Sequence, residues 1–334
     1  MSGTIVHGGG VTEAAAQFGG QPQDWLDLST GINPCPPPLP DVPASVWHRL
    51  PDRHLVDAAM QAAALYYGTG DHLPLPVPGT QSVIQLLPRL ATPGRRIAIF
   101  GPTYGEYARC FTASGFAIDV IASKDEVSSD HGLVVLVNPN NPTGRTLTAS
   151  AVEDLRRVVV GHGGMLVVDE AFGDQQPDLS VARDRPQMTG LIVFRSFGKF
   201  FGLAGLRLGF VIADATVTER FRDWLGPWAV SGPALFLATT QMTDGSAATI
   251  KAALVARKAA LDRVLHQAGL TVSGGTGLFS LIEHDRALDL HTHLCRAQIL
   301  TRRFDYEARW LRIGLAPDAA GDARLADALR TSGL

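Results

Sequence analysis

Short apolar runs alternate with longer amphipathic segments through the middle of the chain. The apolar runs, which are typical of buried strands, lie at 96–100, 117–121, 133–137, 165–168 and 191–194. Between them, residues 104–114 and 149–160 combine helical spacing of apolar positions with the length of a crossover connection. This alternation predicts a mostly parallel sheet with helices on both faces, made of right-handed strand-helix-strand units.

The two ends of the chain have different patterns. Residues 34–40 are rich in proline, which fixes φ and removes a backbone donor, so they predict an extended connection after a short N-terminal arm. After Pro233, two helical stretches (234–243 and 248–268) precede two strand-like stretches (278–283 and 310–315). They predict a smaller α+β domain.

We therefore expect an α/β protein with three parts. An N-terminal arm, residues 1–47, contributes to the small domain and to the active site. A large domain follows at 48–235, and a small C-terminal domain occupies 236–334.

Composition narrows the class of protein. With 334 residues, 46% of them hydrophobic and 18% charged, the chain can bury a large core. The net charge of -3 and the scattered Lys and Arg argue against nucleic-acid or anionic-membrane partners, and favour a small-molecule partner. The start lacks a basic segment followed by an apolar run, so we expect a cytoplasmic protein.

The cysteines and histidines give little sign of a metal or disulfide site. The three cysteines are far apart in the sequence and odd in number. His291 and His293 form an isolated His-x-His that lacks the spacing typical of metal ligands. We expect no metal.

Lys199 lies among small and apolar residues in the segment 196–210, directly after a predicted strand. A lysine in such surroundings can lose its proton and attack an aldehyde, whereas an exposed lysine stays an ammonium ion. A lysine that caps a glycine-rich loop is the structural alternative. The Gly-x-x-x-x-Gly-Lys-[Ser/Thr] spacing of a P-loop is absent, which argues against ATP chemistry.

Two further segments end predicted strands with polar residues. Asp169 lies at the carboxyl end of a buried strand, where parallel sheets bind ligands, although a helix N-cap is the alternative. Residues 138–144, with the sequence Asn-Pro-Asn-Asn-Pro-Thr-Gly, are suited to a turn. On structural grounds alone they form a loop.

Taken together, these motifs resemble the fold type I pyridoxal-5′-phosphate (PLP) enzymes of the class I and II aminotransferase family. The matching features are Ser-x-x-Lys with an arginine eight residues after the lysine, and Asn-Asn-Pro-Thr-Gly. The resemblance implies that PLP is held as a Schiff base by Lys199, with these further contacts: Ser196 and Arg207 to the phosphate, Asn141 to the phenolic oxygen, and Asp169 to the pyridine nitrogen. Phe172 stands where the family often has a tyrosine that also contacts the phenolic oxygen.

The resemblance also assigns the segment before the first large-domain strands. Gly79, Thr80 and Gln81 precede an apolar-periodic segment, so their N–H groups are expected at a helix N-terminus, as in the family's phosphate-binding turn. Tyr104 stands where relatives stack a ring on the pyridine face. A core or interface tyrosine is the alternative for Tyr104 and the expectation for Tyr107.

Two arginines near the C-terminus are expected to bind substrate anions. Arg312 lies in the middle of an apolar strand, where its charge is costly unless it is paired. A bidentate guanidinium suits an α-carboxylate, and the family uses an arginine in this context for that purpose. Arg302 resembles the residue that binds the substrate phosphate in members acting on phosphorylated amino acids, with Arg303 as the competitor.

The terminal segments resemble the threonine-phosphate decarboxylases of cobalamin biosynthesis within this family. The matching residues are 7–10, 26–34 and 227–230. This resemblance implies decarboxylation of L-threonine O-3-phosphate to (R)-1-amino-2-propanol phosphate, with His7 and Gly31 near the substrate. Relatives often have asparagine at the position of Gly31.

The family also implies a homodimer with the active site near the interface. Relatives carry a tyrosine that reaches the partner's cofactor phosphate at the position of Leu50. Because Leu50 cannot donate a hydrogen bond, this contact is expected to be lost or replaced.

Two alternatives stay open. The central motifs are shared with aminotransferases, and the bond that breaks depends on which one is perpendicular to the cofactor ring, so an aminotransferase such as one for histidinol phosphate is the first alternative. The second is a noncatalytic PLP-sensing regulator, which would need a DNA-binding domain. No basic helix-turn-helix region precedes the motifs.

Overall fold

The computed structural model describes residues 7–183 and 187–333, which divide into two compact units. The larger unit comprises residues 37–141 and 145–249. The smaller unit comprises the described residues within 1–36, 142–144 and 250–334. The boundaries that the sequence suggested, after residues 47 and 235, stay a prediction.

The described residues form thirteen strands and twelve α-helices. The strands are β1 (Leu26–Asp27), β2 (Leu75–Val77), β3 (Arg96–Phe100), β4 (Ile118–Ile121), β5 (His131–Val137), β6 (Met165–Asp169), β7 (Leu191–Ser196), β8 (Gly209–Ile212), β9 (Val272–Thr276), β10 (Phe279–Glu283), β11 (Ile299–Leu300), β12 (Arg302–Phe304) and β13 (Glu307–Gly314). The helices are α1 (Val11–Phe18), α2 (Ala44–His48), α3 (Arg53–Tyr67), α4 (Thr80–Ile84), α5 (Glu106–Ala113), α6 (Ala149–Gly161), α7 (Phe197–Phe200), α8 (Ala215–Leu225), α9 (Gly232–Thr243), α10 (Ser246–Gln267), α11 (Ala287–Arg296) and α12 (Ala319–Arg330).

The larger unit is built on a seven-stranded sheet with the order β2-β8-β7-β6-β5-β3-β4. Strands β3 to β7 pair in parallel, as their apolar runs predict, whereas β8 is antiparallel to both β7 and β2. Every residue of β5 is buried, which is expected of a central strand covered on both faces. The carboxyl ends of β3, β5, β6 and β7 therefore lie along one edge of the sheet.

A buried group of charges fixes two of these strand ends. Arg195, on β7, lies 2.8 Å from Oε2 of Glu170 and 3.2 Å from Oδ1 of Asp174, and all three are buried. Glu170 also accepts hydrogen bonds from the Ser180 hydroxyl at 2.6 Å and from the Val181 N–H at 2.8 Å. Because charges are costly to bury unless they are paired, this arrangement sets where the backbone after β6 and the end of β7 can lie.

The smaller unit contains a four-stranded antiparallel sheet with the order β12-β13-β10-β9, and the two-stranded parallel pair β1-β11. Helices α11 and α12 belong to the same unit. Among the described helices of the chain, none is both long enough and apolar enough to span a membrane.

Candidate active site

Asp169, the last residue of β6, is a buried carboxylate with well-defined partners. The Tyr107 hydroxyl donates to its Oδ2 at 2.8 Å, and the Ala171 N–H donates to its Oδ1 at 2.9 Å. Burial raises the pKa of Asp169, while these two hydrogen bonds and the charge of Lys199 oppose that rise. A carboxylate held in this way can accept a hydrogen bond from a protonated ring nitrogen.

Lys199 lies on α7, the short helix that follows β7. Its ammonium nitrogen is 5.6 Å from the centre of the Phe172 ring, and its charge is close enough to lower the pKa of Asp169. Phe197 and Phe201, which lie two residues before and after Lys199, stack with their ring centres 4.4 Å apart. The structure thus places Lys199 near Asp169, in a largely apolar setting.

A cradle for an anion lies between β2 and β8. Gly79 has a φ of 75°, and a Cβ atom placed on it would lie 2.7 Å from Nη2 of Arg207. A Cβ on Gly209 would lie 3.0 Å from the backbone nitrogen of Thr80, and Gly209 is the register partner of Ser196. The Arg207 guanidinium and the start of α4 therefore lie close to these glycines, around a small volume that a side chain at residue 79 would fill.

Gln81 differs from the other residues of this turn, because its side chain is engaged by neighbouring protein groups. The Tyr104 hydroxyl donates to its Oε1 at 3.1 Å, and its Nε2 donates to Oε2 of buried Glu106 at 2.8 Å. Any contact from Gln81 to a bound phosphate would therefore use its backbone N–H. The same hydrogen bonds hold the ring of Tyr104.

The asparagines of the 138–144 segment have separate tasks. The side chain of Asn138 donates to the carbonyl of Leu147 at 3.0 Å and accepts the Leu147 N–H at 2.8 Å, which closes the loop. Asn140 donates to the carbonyl of Pro102 at 3.0 Å and accepts the Thr103 hydroxyl at 2.6 Å. Asn141 is half-buried, and its expected contact with the cofactor stays a prediction.

These groups fit PLP. The Gly79 cradle suits its phosphate, Lys199 suits its aldehyde, and Asp169 suits its pyridine nitrogen. The complete burial of Tyr107 confirms the expectation of a core tyrosine, but its bond to Asp169 and the role of Glu106 were missed. The available signal was their place at the start of α5, just after Tyr104, because the rings of Tyr104 and Tyr107 meet edge to face with centres 6.3 Å apart.

The smaller unit places two arginines opposite each other. Arg302 on β12 and Arg312 on β13 are register partners, so their side chains project from the same face of the sheet. The guanidinium of Arg302 lies 5.3 Å from the ring centre of Phe304, and that of Arg312 lies 4.9 Å from the ring centre of Phe279. Because like charges opposite each other are unfavourable, this face is suited to anions.

Arg303 lies on the other face of β12, since side chains alternate along a strand. It is exposed, and it lies near His291 on α11. Burial, together with the charges of Arg303 and Arg302, lowers the pKa of His291 to about 4. The register of β12 against β13 thus places Arg303 on the face opposite to that of Arg302 and Arg312.

His7 and Gly31 belong to the same unit as the two arginines. His7 is exposed and Gly31 is buried. Between them, the carbonyl of Ser29 accepts a hydrogen bond from Nη2 of Arg312 at 2.7 Å. The segment that carries His7 and Gly31 is therefore connected directly to Arg312.

Comparisons with known proteins agree with these assignments at the level of family and fold. The model of the family "Aminotransferase class I and II" matches residues 24–329. A threonine-phosphate decarboxylase from a Sinorhizobium species is 63% identical over 329 residues, which cover 98% of each chain. One from Pseudomonas aeruginosa is 40% identical, with 97% of each chain covered.

Solved structures share the fold. A histidinol-phosphate aminotransferase from Sinorhizobium meliloti, in complex with pyridoxal-5′-phosphate, matches with a TM-score of 0.81 at 18% identity. The match covers 99% of this chain and 96% of that chain. At this identity the likeness concerns the fold alone, and it confirms the expected α/β architecture.

Replacing Tyr107 by Phe tests the support of Asp169. The change removes a hydrogen bond that favours the charged carboxylate, so the pKa of Asp169 should rise further and the affinity for PLP should fall about tenfold. The measurement is a titration of the apoprotein with PLP, followed by absorbance.

Ser114→Ala is the matched control, since it removes a hydroxyl at the other end of α5, which donates to the Cys110 carbonyl at 2.9 Å. Its PLP affinity should equal that of the wild type. An unchanged affinity in Tyr107→Phe would show that Asp169 does not depend on this bond.

Proposed function

Because this chain belongs to the class I and II aminotransferase family, we propose that it is a PLP-dependent carboxy-lyase. It converts L-threonine O-3-phosphate into (R)-1-amino-2-propanol phosphate and CO2, a reaction of cobalamin biosynthesis. The observation that carries this proposal is the similarity to two threonine-phosphate decarboxylases over nearly the whole chain. The register of Arg302 and Arg312 supports it independently.

The larger unit supplies the groups that we assign to PLP. Lys199 would bind its aldehyde carbon, and Asp169 would bind its pyridine nitrogen. The remaining contacts are Gly79, Thr80, the backbone of Gln81, Ser196 and Arg207 to the phosphate, Asn141 to the phenolic oxygen, and Tyr104 to the ring face. PLP, when bound, supplies a conjugated ring that accepts the electron pair of the bond broken at Cα.

The smaller unit supplies the groups that we assign to the substrate. Threonine phosphate carries a carboxylate on Cα and a phosphate on the neighbouring Cβ oxygen, so one molecule presents two anions a short distance apart. Arg302 and Arg312 project from one sheet face and match these two anions. We assign the carboxylate to Arg312 and the phosphate to Arg302, with His7 and Gly31 as further contacts.

The chain's own residues then have defined tasks in the reaction. Burial raises the pKa of Asp169, while the hydrogen bonds from Tyr107 and Ala171 and the nearby charge of Lys199 favour its charged form. CO2 leaves from Cα, and a proton takes its place there. We assign delivery of this proton to the Nζ atom of Lys199.

An aminotransferase is the rival function, since it would use Lys199, Asp169, Asn141 and Arg207 in the same way. Histidinol phosphate has no carboxylate, but an aminotransferase also binds a 2-oxo acid, and 2-oxoglutarate carries two carboxylates that match both arginines. The facing pair therefore does not separate the two reactions. The similarity to two threonine-phosphate decarboxylases over nearly the whole chain favours the decarboxylase.

A product assay tests the proposed function. Purified protein with PLP and L-threonine O-3-phosphate should release CO2 and form 1-amino-2-propanol phosphate without any added 2-oxo acid. The measurements are CO2 capture and chromatography of the amine. Lys199→Ala should abolish turnover and the visible absorbance of the lysine-bound cofactor.

The aminotransferase predicts a different result. No CO2, together with transfer of the amino group to 2-oxoglutarate, would refute the decarboxylase. An unchanged absorbance in Lys199→Ala would remove that residue from its assigned role.

The two neighbouring arginines allow a matched test of the phosphate contact. Arg302→Ala should lower kcat/KM for threonine phosphate about 10- to 100-fold, because it removes hydrogen bonds between charged groups. The loss for unphosphorylated threonine should be much smaller. Steady-state kinetics with both substrates measures the difference.

Arg303→Ala is the control, because Arg303 lies on the opposite face of the same strand. It should leave kcat/KM within about twofold, as is common for exposed substitutions. A larger loss in Arg303→Ala than in Arg302→Ala would reverse the assignment.

We also propose that the protein is a homodimer whose interface includes the exposed apolar residues of the larger unit. Trp47 is 63% exposed, Leu50 64%, Leu65 81% and Trp228 59%. Exposed aromatic and aliphatic side chains of this size are typical of protein interfaces. A second copy of the chain is the partner that the family implies.

Trp47→Asp tests this interface. Light scattering should give twice the chain mass of 35.6 kDa for the wild type and the single-chain mass for Trp47→Asp. Val255→Asp, at a 62% exposed residue of the smaller unit, should stay dimeric. A monomeric wild type would contradict the proposal.

A further inference from the structure

Ser29 is a buried residue that joins the beginning of the chain to the segment after β1. Its hydroxyl donates to Oδ1 of Asp27 at 2.6 Å and accepts the N–H of Gly9 at 2.7 Å. The N–H of Ser29 donates to the same Asp27 oxygen at 2.9 Å. Because the hydroxyl has one hydrogen, and Asp27 accepts it, the oxygen lone pairs are available for Gly9.

The backbone of Ser29 reaches Arg312. Its carbonyl accepts a hydrogen bond from Nη2 of Arg312 at 2.7 Å, and both residues are buried. A planar guanidinium that is fixed at one nitrogen and lies over the Phe279 ring has few remaining orientations. The position of the Ser29 carbonyl therefore sets the direction in which Arg312 presents its other N–H groups.

Two glycines bring these backbones into direct contact. A Cβ on Gly8 would lie 2.5 Å from the carbonyl oxygen of Ser29, and a Cβ on Gly314 would lie 2.4 Å from that of Thr30. The Gly314 N–H donates to the carbonyl of Leu28 at 2.7 Å. Residues 7–9, residues 28–30 and β13 are thus packed with no space for sliding.

We propose that Asp27 and Ser29, here called the Asp27–Ser29 latch, are positioning residues that hold His7–Gly9 and Arg312 in one fixed arrangement. The inference rests on the proposed function, because it concerns the arginine assigned to the substrate carboxylate. The latch touches neither substrate nor cofactor. It acts through the Gly9 N–H and the Ser29 carbonyl.

The consequence concerns which bond of the substrate breaks. The bond at Cα that is perpendicular to the cofactor ring is the one that breaks, and Arg312 orients the carboxylate. When that orientation is loose, the Cα–H bond breaks in some turnovers. The substrate's amino group would then exchange with the aldehyde oxygen of the cofactor, and the two electrons and the proton of the Cα–H bond would pass to the cofactor, so that the products would be pyridoxamine phosphate and a phosphorylated 2-oxo acid.

Ser29→Ala is the direct test in the PLP-loaded protein. It removes the bond to Gly9 and the donor to Asp27, but keeps the carbonyl that Arg312 contacts. We expect kcat for threonine phosphate to fall about tenfold. We also expect the fraction of turnovers that end in pyridoxamine phosphate to rise, as measured by absorbance and product chromatography.

Three variants separate positioning from a general loss of stability. Ser273→Ala removes a serine hydroxyl that bonds the Leu281 carbonyl in the same unit, and should leave the product ratio unchanged. Asp27→Asn keeps an oxygen that accepts both hydrogen bonds and should restore most of the wild-type ratio. Asp27→Ala should behave like Ser29→Ala.

The outcomes are distinguishable. A wild-type product ratio and kcat in Ser29→Ala, or the same change in Ser273→Ala, would overturn the latch. If the wild type releases no CO2, the proposed function fails, and amide hydrogen exchange then tests the latch alone. Exchange at Gly9 should accelerate in Ser29→Ala, and unchanged exchange would refute the latch whatever the reaction is.

Discussion

The active-site edge of the larger sheet depends on the burial of one guanidinium. Arg195 is paired with Glu170 and Asp174, so a single cation compensates two carboxylates where little water can screen them. Glu170 directly follows Asp169, and Arg195 directly precedes Ser196. Because neighbouring residues in a strand point to opposite faces, the buried pairing on one side fixes the functional side chains on the other. Such a pairing specifies geometry more reliably than it adds stability.

The central sheet could be predicted because its strands are buried on both faces, which gives unbroken apolar runs. The run at 96–100 is β3 without change, and the run at 165–168 continues through Asp169 to form β6. The two strands that make antiparallel pairs in this sheet, β2 and β8, were missed for a physical reason. β2 has three residues with Pro76 at its centre, and proline argues against a strand; β8 follows a glycine-rich segment that carries the functional motif.

The candidate site was predictable where a motif lies within a short segment, as around Lys199, and unpredictable where distant segments meet. Tyr107 and Asp169 are 62 residues apart, and nothing local to either residue indicates their hydrogen bond. Arg302 and Arg303 differ by one position, so only the register of β12 against β13 distinguishes them. The bond from Arg312 to Ser29 crosses 283 positions of sequence.

The close approach at Gly8 and Gly314 has a consequence for comparing genomes. Each glycine faces a carbonyl oxygen at a distance that no side chain permits. A Cβ at residue 8 would force residues 7–9 away from residues 28–30, and a Cβ at residue 314 would force β13 away from residues 28–30. Together with a hydroxyl at residue 29, these glycines form a three-position signature that can be searched in unaligned protein collections. Chains that keep the lysine motif but lack this signature would be sorted into a different reaction class before any enzyme is purified.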